Sequence, residues 1–87
     1  MGEFPVRLQK LRERRRMNRK ALGELCGLSK NIIGQYERGE KEPSVRTLIE
    51  LADIFEVSTD YLLGRQNFLS SPHQRWEQAY KHMRELA

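Results

Sequence analysis

The sequence is poor in the residues that build disulfides, metal sites and aromatic clusters. Its 87 residues include one cysteine and two histidines, and 8 % are aromatic. A single cysteine cannot form an internal disulfide, and the helical surroundings of Cys26 predict a small, buried hydrophobic side chain rather than a redox sensor. His73 and His82 have no partners at metal-ligand spacing. We therefore expect no metal site, and both histidines at the surface.

Long hydrophobic runs and catalytic constellations are also missing. No apolar run approaches the ~20 residues that span a bilayer, and Arg and Lys repeatedly interrupt the N-terminal region. We expect no signal peptide, no membrane contact and a cytoplasmic protein. A nucleophile, general base and orienting group do not occur together, because the few serines stand at predicted helix starts. From these absences we expect a protein that is not an enzyme and that binds no cofactor.

The residues that are present suit one small helical domain. A hydrophobic fraction of 38 % in 87 residues allows one core and leaves no room for a second, catalytic or ligand-sensing domain. Residues 1–20 carry eight basic and two acidic groups, residues 21–64 carry four and eight, and residues 65–87 carry four and two. The net charge of +4 therefore comes from the two ends of the chain and not from a uniformly basic surface.

Residues 18–37 are the most informative segment, because they predict two short helices joined by a turn. Asn18 and Ser29 each precede a helical pattern, where a side-chain oxygen can accept from backbone N–H groups of the first turn. Gly27 can end the first of these helices in a left-handed conformation, and Leu28 can then enter the core beneath the turn.

The second helix of this unit has two different faces. Ile33 and Tyr36 fall on one side, where they can attach the helix to a core. On the outward side, Gly34 would lower the helix surface and let its backbone approach a DNA duplex. Asn and Gln can each make two hydrogen bonds to adenine, and Lys can donate to guanine in the major groove. This pattern favours base reading, and the alternative is a solvated surface helix. The candidate base-reading residues are Lys30, Asn31 and Gln35.

Candidate contacts to the DNA backbone flank the same helix. Arg19 lies at the start of the preceding helix, and Arg38 and Lys41 lie just beyond the end of this helix, where cations can meet phosphates. The two capping residues, Asn18 and Ser29, are also candidates. The full set is Asn18, Arg19, Ser29, Arg38 and Lys41.

Three more helices are predicted around this unit. Pro5 can open a first helix that runs to about Arg16, with Leu8, Leu11 and Arg12 on its inner side. Ser44 and Ser58 can cap a fourth and a fifth helix, and Gly64 can end the fifth. The predicted core residues of the fourth helix are Val45, Leu48, Ala52 and Phe55.

Four segments give the chain a family resemblance. They are RLQKLRERR, ALGELCGLS, IIGQYERGEKEPS and TLIELADIFEVSTDYLL, and ERGEKEP, with Glu37, Gly39 and Pro43, is the most specific part. From Arg7 to Leu63 the chain resembles the helix-turn-helix domain of lambdoid phage repressors, Cro proteins and the xenobiotic-response-element regulators of bacteria. The resemblance implies an all-α, lambda-repressor-like domain of five helices, with the third helix in the major groove.

The resemblance also implies one internal ion pair, and the chain departs from the family at two positions. In the family an arginine at the place of Arg12 pairs with the glutamate at the place of Glu37, which would fasten the first helix to the third. Gly23 stands where the family usually has alanine, so we expect looser packing against the third helix. Glu56 stands where the family often has glycine.

The C-terminal region predicts one further helix. We divide the chain into a DNA-binding domain at residues 7–63 and a linker with a C-terminal amphipathic helix at residues 64–87. Ser71 and Gln74 have capping-box spacing around Pro72. This helix either packs on its own domain or makes an intermolecular contact, and we favour the contact because a five-helix domain is already complete. The candidate dimer contacts are Tyr61, Leu63, Phe68, Trp76, Tyr80 and Met83.

The favoured function is a sequence-specific regulator of transcription that binds double-stranded DNA. We expect a repressor that acts as a homodimer on a near-palindromic operator. The alternative is an antitoxin or another interaction module whose C-terminal helix binds a partner protein.

Overall fold

The computed structural model describes residues 2–65, and within them the chain forms five helices and no strand. They are α1 (Phe4–Arg14), α2 (Arg19–Cys26), α3 (Lys30–Glu37), α4 (Val45–Phe55) and α5 (Thr59–Leu62). The all-α prediction with five helices is confirmed for this part. The predicted C-terminal helix lies outside the described residues, and so do Phe68, Trp76, Tyr80 and Met83. None of the described helices is long and apolar enough to cross a membrane.

The predicted starts of α2, α3, α4 and α5 are confirmed, because each depends on residues only three apart. Asn18 Oδ1 accepts from the backbone N–H of Ala21 at 2.7 Å, and Ser29 Oγ accepts from that of Ile32 at 3.2 Å. Ser44 and Ser58 cap α4 and α5 in the same way. Gly27 ends α2 with φ 70° and ψ 28°, as expected for a left-handed turn residue. The helix-turn-helix unit is therefore specified locally.

The first helix differs from its prediction at both ends. It begins at Phe4, one residue before Pro5, and ends at Arg14. Arg16, which was expected inside the helix, has φ 55° and belongs to the turn. Phe4 is 1 % exposed, and its ring meets Tyr36 edge-on with centroids 5.9 Å apart. The start of α1 is thus part of the core and supports α3.

The core lies between the inner faces of all five helices. Its buried hydrophobic members are Phe4, Leu8, Leu11, Leu22, Ile33, Tyr36, Leu48, Leu51, Ala52, Phe55, Val57 and Leu62. The prediction for Val45 is wrong, because this side chain is 75 % exposed. Val45 is the first residue of α4 and lies outside the buried side of the helix. Leu51, which was not among the predicted core residues, is fully buried.

Two arginines, Arg7 in α1 and Arg15 just after it, connect the start of the chain to α5 and α4. Arg7 Nη1 donates to the Tyr61 carbonyl at 2.9 Å, and its guanidinium lies 4.4 Å from the centre of the Tyr61 ring. Arg15 Nη1 donates to the Ile54 carbonyl at 3.1 Å and lies above the Phe55 ring. Carbonyls at helix ends lack intrahelical partners, so these contacts satisfy them with cations.

Gly23 corrects the expectation of loose packing at α2. A Cβ atom built on Gly23 would lie less than 3.0 Å from the Leu28 carbonyl oxygen, and the Leu28 N–H donates to the Gly23 carbonyl at 2.8 Å. The turn backbone therefore passes too close for alanine. Gly23 allows tighter packing than the family's usual residue, not looser packing.

Candidate nucleic-acid interface

The side chain of Glu37 joins three helices at the end of α3. Arg12 donates to it through Nε at 2.6 Å and Nη2 at 3.0 Å, so the structure brings the expected pair together with bidentate geometry. Arg19 Nε also donates to Glu37 Oε1, at 3.1 Å. The side chain of Glu37 is 1 % exposed. One buried carboxylate therefore orients α3 against α1 and α2.

Arg12 is held by a backbone carbonyl as well as by the Glu37 carboxylate. Its Nη1 donates to the Met17 carbonyl at 2.8 Å, in the loop before α2. The hydrogen bond to Glu37 raises the pKa of Arg12 above its ordinary value, despite the opposing effect of burial. No buried side-chain nitrogen or oxygen in residues 2–65 is left without a partner. The network is thus fully satisfied, which a buried ion pair requires.

The candidate base-reading residues lie on the outer side of α3. Lys30 and Asn31 are exposed and Gln35 is half-buried, whereas Ile33 and Tyr36 are buried on the inner side. The helix is therefore amphipathic in the predicted orientation. Its outer side presents amide and ammonium groups to solvent.

Gly34 differs from its expected role as bare backbone on that outer side. It is buried, because the guanidinium groups of two arginines lie over it. A Cβ atom on Gly34 would be 2.9 Å from Arg38 Nη1 and 3.6 Å from Arg19 Nη1. The space left by the missing side chain is used by arginines, which sequence spacing alone did not indicate.

An open, basic cleft lies beside the outer side of α3. Its lining residues are Arg12, Asn18, Arg19, Lys20 and Lys30. None of them is acidic. Sequence analysis did not single out Lys20, although its place in the first turn of α2, next to Arg19, was a usable signal. The cleft concentrates positive charge where α2 and α3 begin.

The candidate backbone contacts have different surroundings. Asn18 and Ser29 use their oxygen atoms as helix caps. Arg38 donates through Nε to Glu40 Oε2 at 2.5 Å, and this pairing lowers the pKa of Glu40. Lys41 is exposed in the turn after α3. The five residues therefore surround α3. Within residues 2–65, four of them make hydrogen bonds inside the domain, and the structure shows none for the Lys41 side chain.

The candidate dimer contacts are described only in part. Tyr61 is half-buried, and Arg7 covers one face of its ring. Leu63 is also half-buried and packs against the core. Part of each side chain is thus already used within the domain.

Comparison with known proteins places this geometry in a family. The family model described as helix-turn-helix matches residues 8–62. The chain belongs to the helix-turn-helix family of Cro/C1 type. It is 33 % identical, over 82 % of its length and 75 % of the relative's, to the uncharacterized HTH-type transcriptional regulator YobD of Bacillus subtilis (strain 168). It is 36 % identical to the regulator ImmR of the same strain, over 68 % of this chain and 46 % of ImmR.

A solved repressor structure has a similar fold. The crystal structure of the P22 c2 repressor in complex with a synthetic operator matches with a TM-score of 0.66 and 34 % identity, over 68 % of this chain and 89 % of that one. The full repressor protein C2 of Salmonella phage P22 is longer, and the chain spans 28 % of it at 38 % identity. These matches confirm the lambda-repressor-like fold and the family resemblance.

Proposed function

We propose that this helix-turn-helix protein is a sequence-specific, double-stranded-DNA-binding regulator of transcription. It acts as a repressor, with α3 in the major groove and no catalytic activity. The observation that carries the proposal is the outward row of Lys30, Asn31 and Gln35 beside a basic cleft, on a helix oriented by the buried Glu37. The relatives support it, since they are transcriptional regulators and one solved relative is bound to an operator. Such a protein acts in the cytoplasm, where the bacterial chromosome is.

Base readers and backbone contacts have separable roles in this proposal. Asn31 and Gln35 hydrogen-bond adenine, and Lys30 donates to guanine. Asn18 caps α2 through Oδ1, so its Nδ2 can donate to a phosphate, and the Ser29 hydroxyl can donate while its oxygen accepts from α3. Arg19, Arg38 and Lys41 supply charge to phosphates, which sets affinity rather than sequence preference.

The test begins with selection of the bound sequence from a random duplex pool. Gln35→Ala should then lose on the order of 1–3 kcal/mol on the selected site and flatten the base preference, and Asn31→Ala should do the same. Arg19→Ala should weaken binding to every sequence and lower the salt slope by about one. Gln9→Ala makes the same change on α1 and serves as the control. Equal losses for Gln35→Ala on selected and random DNA would remove it from the base readers.

The proposal includes a homodimer on a near-palindromic operator. One recognition helix reads only a few base pairs, and two such helices about 34 Å apart would meet successive major grooves. Tyr61, Leu63 and Phe68 are one candidate contact, and the C-terminal stripe of Trp76, Tyr80 and Met83 is the other.

Truncation separates these two contacts. Removal of residues 70–87 should give a monomer with much weaker operator binding if the C-terminal stripe pairs, and should leave the dimer intact if the α5 region pairs. Sedimentation of both chains, alone and with a two-half-site duplex, measures the difference. A strict 1:1 complex on the palindrome would refute the dimer.

A further inference from the structure

Two arginine side chains from different helices meet over one position of α3. Arg19 begins α2 and Arg38 follows α3, yet their Nη1 atoms both lie within 4 Å of the place where a Cβ atom of Gly34 would be. Like charges this close repel each other, so their meeting needs compensation. The side chains are 40 % and 52 % exposed, respectively, so the pair is accessible from solvent.

The protein holds each arginine by the same atom. Arg19 Nε donates to Glu37, and Arg38 Nε donates to Glu40. Each guanidinium therefore keeps its Nη groups as further donors beyond the internal ion pair. The two acids differ in burial, since the Glu37 side chain is 1 % exposed and that of Glu40 is 49 % exposed. Glu37 also binds Arg12, so its single negative charge is shared between two cations.

We propose that Arg19 and Arg38 together bind one phosphate group of the DNA backbone, and that Gly34 is required as the floor of this site. A phosphate presents several acceptor oxygens, and two guanidinium groups with free edges are well suited to bind it. This inference rests on the proposed function, because it names a contact that would be made within the same DNA complex.

Gly34 is needed because a methyl group would occupy the place of Arg38. At 2.9 Å from Arg38 Nη1, an alanine Cβ would force that side chain to move, whereas Arg19 at 3.6 Å could remain. The moving atoms are the end of a flexible, exposed side chain. The helix itself should therefore tolerate alanine, and only the site should be lost.

The negative charge of Glu40 opposes phosphate binding in this arrangement. In the free protein its carboxylate occupies Arg38 Nε and keeps Arg38 over Gly34. When DNA binds, the same negative charge would lie near the phosphate and repel it. Removing this charge should strengthen DNA binding.

The experiment measures binding of the full chain to the selected duplex and to a random duplex over a range of salt concentrations. Gly34→Ala should weaken both by about tenfold and lower the salt slope, by at most about one because Arg19 stays on the shared phosphate, while the helical circular dichroism is retained and the thermal stability does not fall. Arg38→Ala should have the same effect. Arg46→Ala, which removes an arginine from the outer side of α4, is the matched control and should change both quantities much less.

A double substitution distinguishes the site from a simple clash. In the Arg38→Ala protein, Gly34→Ala should cause little further loss, because the side chain that it displaces is already gone. A full additional loss would mean that the methyl group meets the DNA itself, and would overturn the inference. Glu40→Gln should raise affinity severalfold, whereas Glu56→Gln makes the same change just after α4 and should not. An unchanged affinity for Glu40→Gln would contradict the repulsion between its charge and the phosphate.

Failure of this inference differs from failure of the proposed function. If the unchanged chain binds a selected duplex and Gly34→Ala binds it equally well, only the phosphate site is refuted. If the unchanged chain binds no duplex DNA, both proposals are refuted.

Discussion

Replacing either of two helical glycines by alanine should change stability in opposite directions. In a helix interior, Gly→Ala raises the free energy of unfolding by roughly 0.5–1 kcal/mol. At Gly34 the nearest atoms are the ends of arginine side chains, which can move, so Gly34→Ala should raise the free energy of unfolding by about that amount.

At Gly23 the same methyl group would meet backbone atoms. Its neighbours would be the carbonyl oxygen of Leu28 at under 3.0 Å, the Leu28 carbonyl carbon at 3.2 Å and the Ser29 carbonyl carbon at 3.3 Å. The turn is fixed by the cap at Ser29 and by the bond between the Leu28 N–H and the Gly23 carbonyl. Overpacking of this kind costs about 1–3 kcal/mol, which exceeds the gain in helix propensity. Gly23→Ala should therefore destabilise the protein by roughly 1 kcal/mol.

Urea and thermal unfolding of the two variants, followed by circular dichroism, would measure the difference. A change of 1 kcal/mol shifts the Tm of a domain of this size by about 4–8 °C. Each variant is the control for the other, since the chemical change and the helical context are the same. Equal stabilisation by both substitutions would refute the close approach of the turn to α2.

Three further predictions concern the ion pair, the end of α4 and the cysteine. Arg12→Ala should destabilise the fold by about 3–5 kcal/mol because it leaves the buried Glu37 with Arg19 alone, and a double-mutant cycle with Glu37→Gln should show coupling; additive effects would contradict the pairing. Glu56 ends α4 with φ 56°, so Glu56→Gly should raise the free energy of unfolding by about 0.5–1 kcal/mol in urea titrations, whereas Glu56→Ala should not. Cys26 is half-buried, less than the sequence predicted, and this partial burial, reinforced by the charge of Glu50, raises its pKa. Alkylation at neutral pH should therefore be slower in the folded than in the urea-unfolded chain, and equal rates would contradict the raised pKa.

Local features of the fold could be predicted from sequence because their physical causes are local. A cap requires an oxygen on one residue and an N–H group three residues later, as at Asn18 and Ala21. The turn at Gly27 requires only a residue that tolerates positive φ. Such features do not depend on where the helices finally lie, which is why the four predicted caps within the described residues are correct. The fifth, at Ser71, lies outside the described residues.

Tertiary features were harder to predict because periodicity does not define where the core ends. Val45 continues the apolar pattern of α4 but lies beyond the core, while Phe4 precedes the proline and lies inside it. The contacts of Arg7 with α5 and of Arg15 with α4 join residues 54 and 39 positions apart in the chain. The sequence pattern indicated no partner for either arginine, and only the packed structure gives their partners.

The candidate site likewise combines features that could be predicted from the sequence with features that could not. The outward side of α3 followed from helical geometry, and the pairing of Arg12 with Glu37 followed from the family resemblance. Neither of these predicted the hydrogen bond from Arg19 to Glu37, because that bond depends on the angle between α2 and α3. The covering of Gly34 by two arginines likewise depends on side chains that approach from both ends of the helix-turn-helix unit.

The buried acid at the end of α3 is better understood as an orienting group than as a source of stability. Desolvation of Glu37 and Arg12 offsets much of their attraction, so an apolar pair of similar volume could stabilise the domain as well. An apolar pair would not, however, fix the angle of α3, because hydrophobic contacts are not directional. Bidentate bonds from Arg12 and a third bond from Arg19 constrain the helix in direction and rotation. The proposed base reading by Asn31 and Gln35 needs hydrogen bonds of defined geometry. The directional hydrogen bonds to Glu37 hold α3 in one orientation, as such base reading requires.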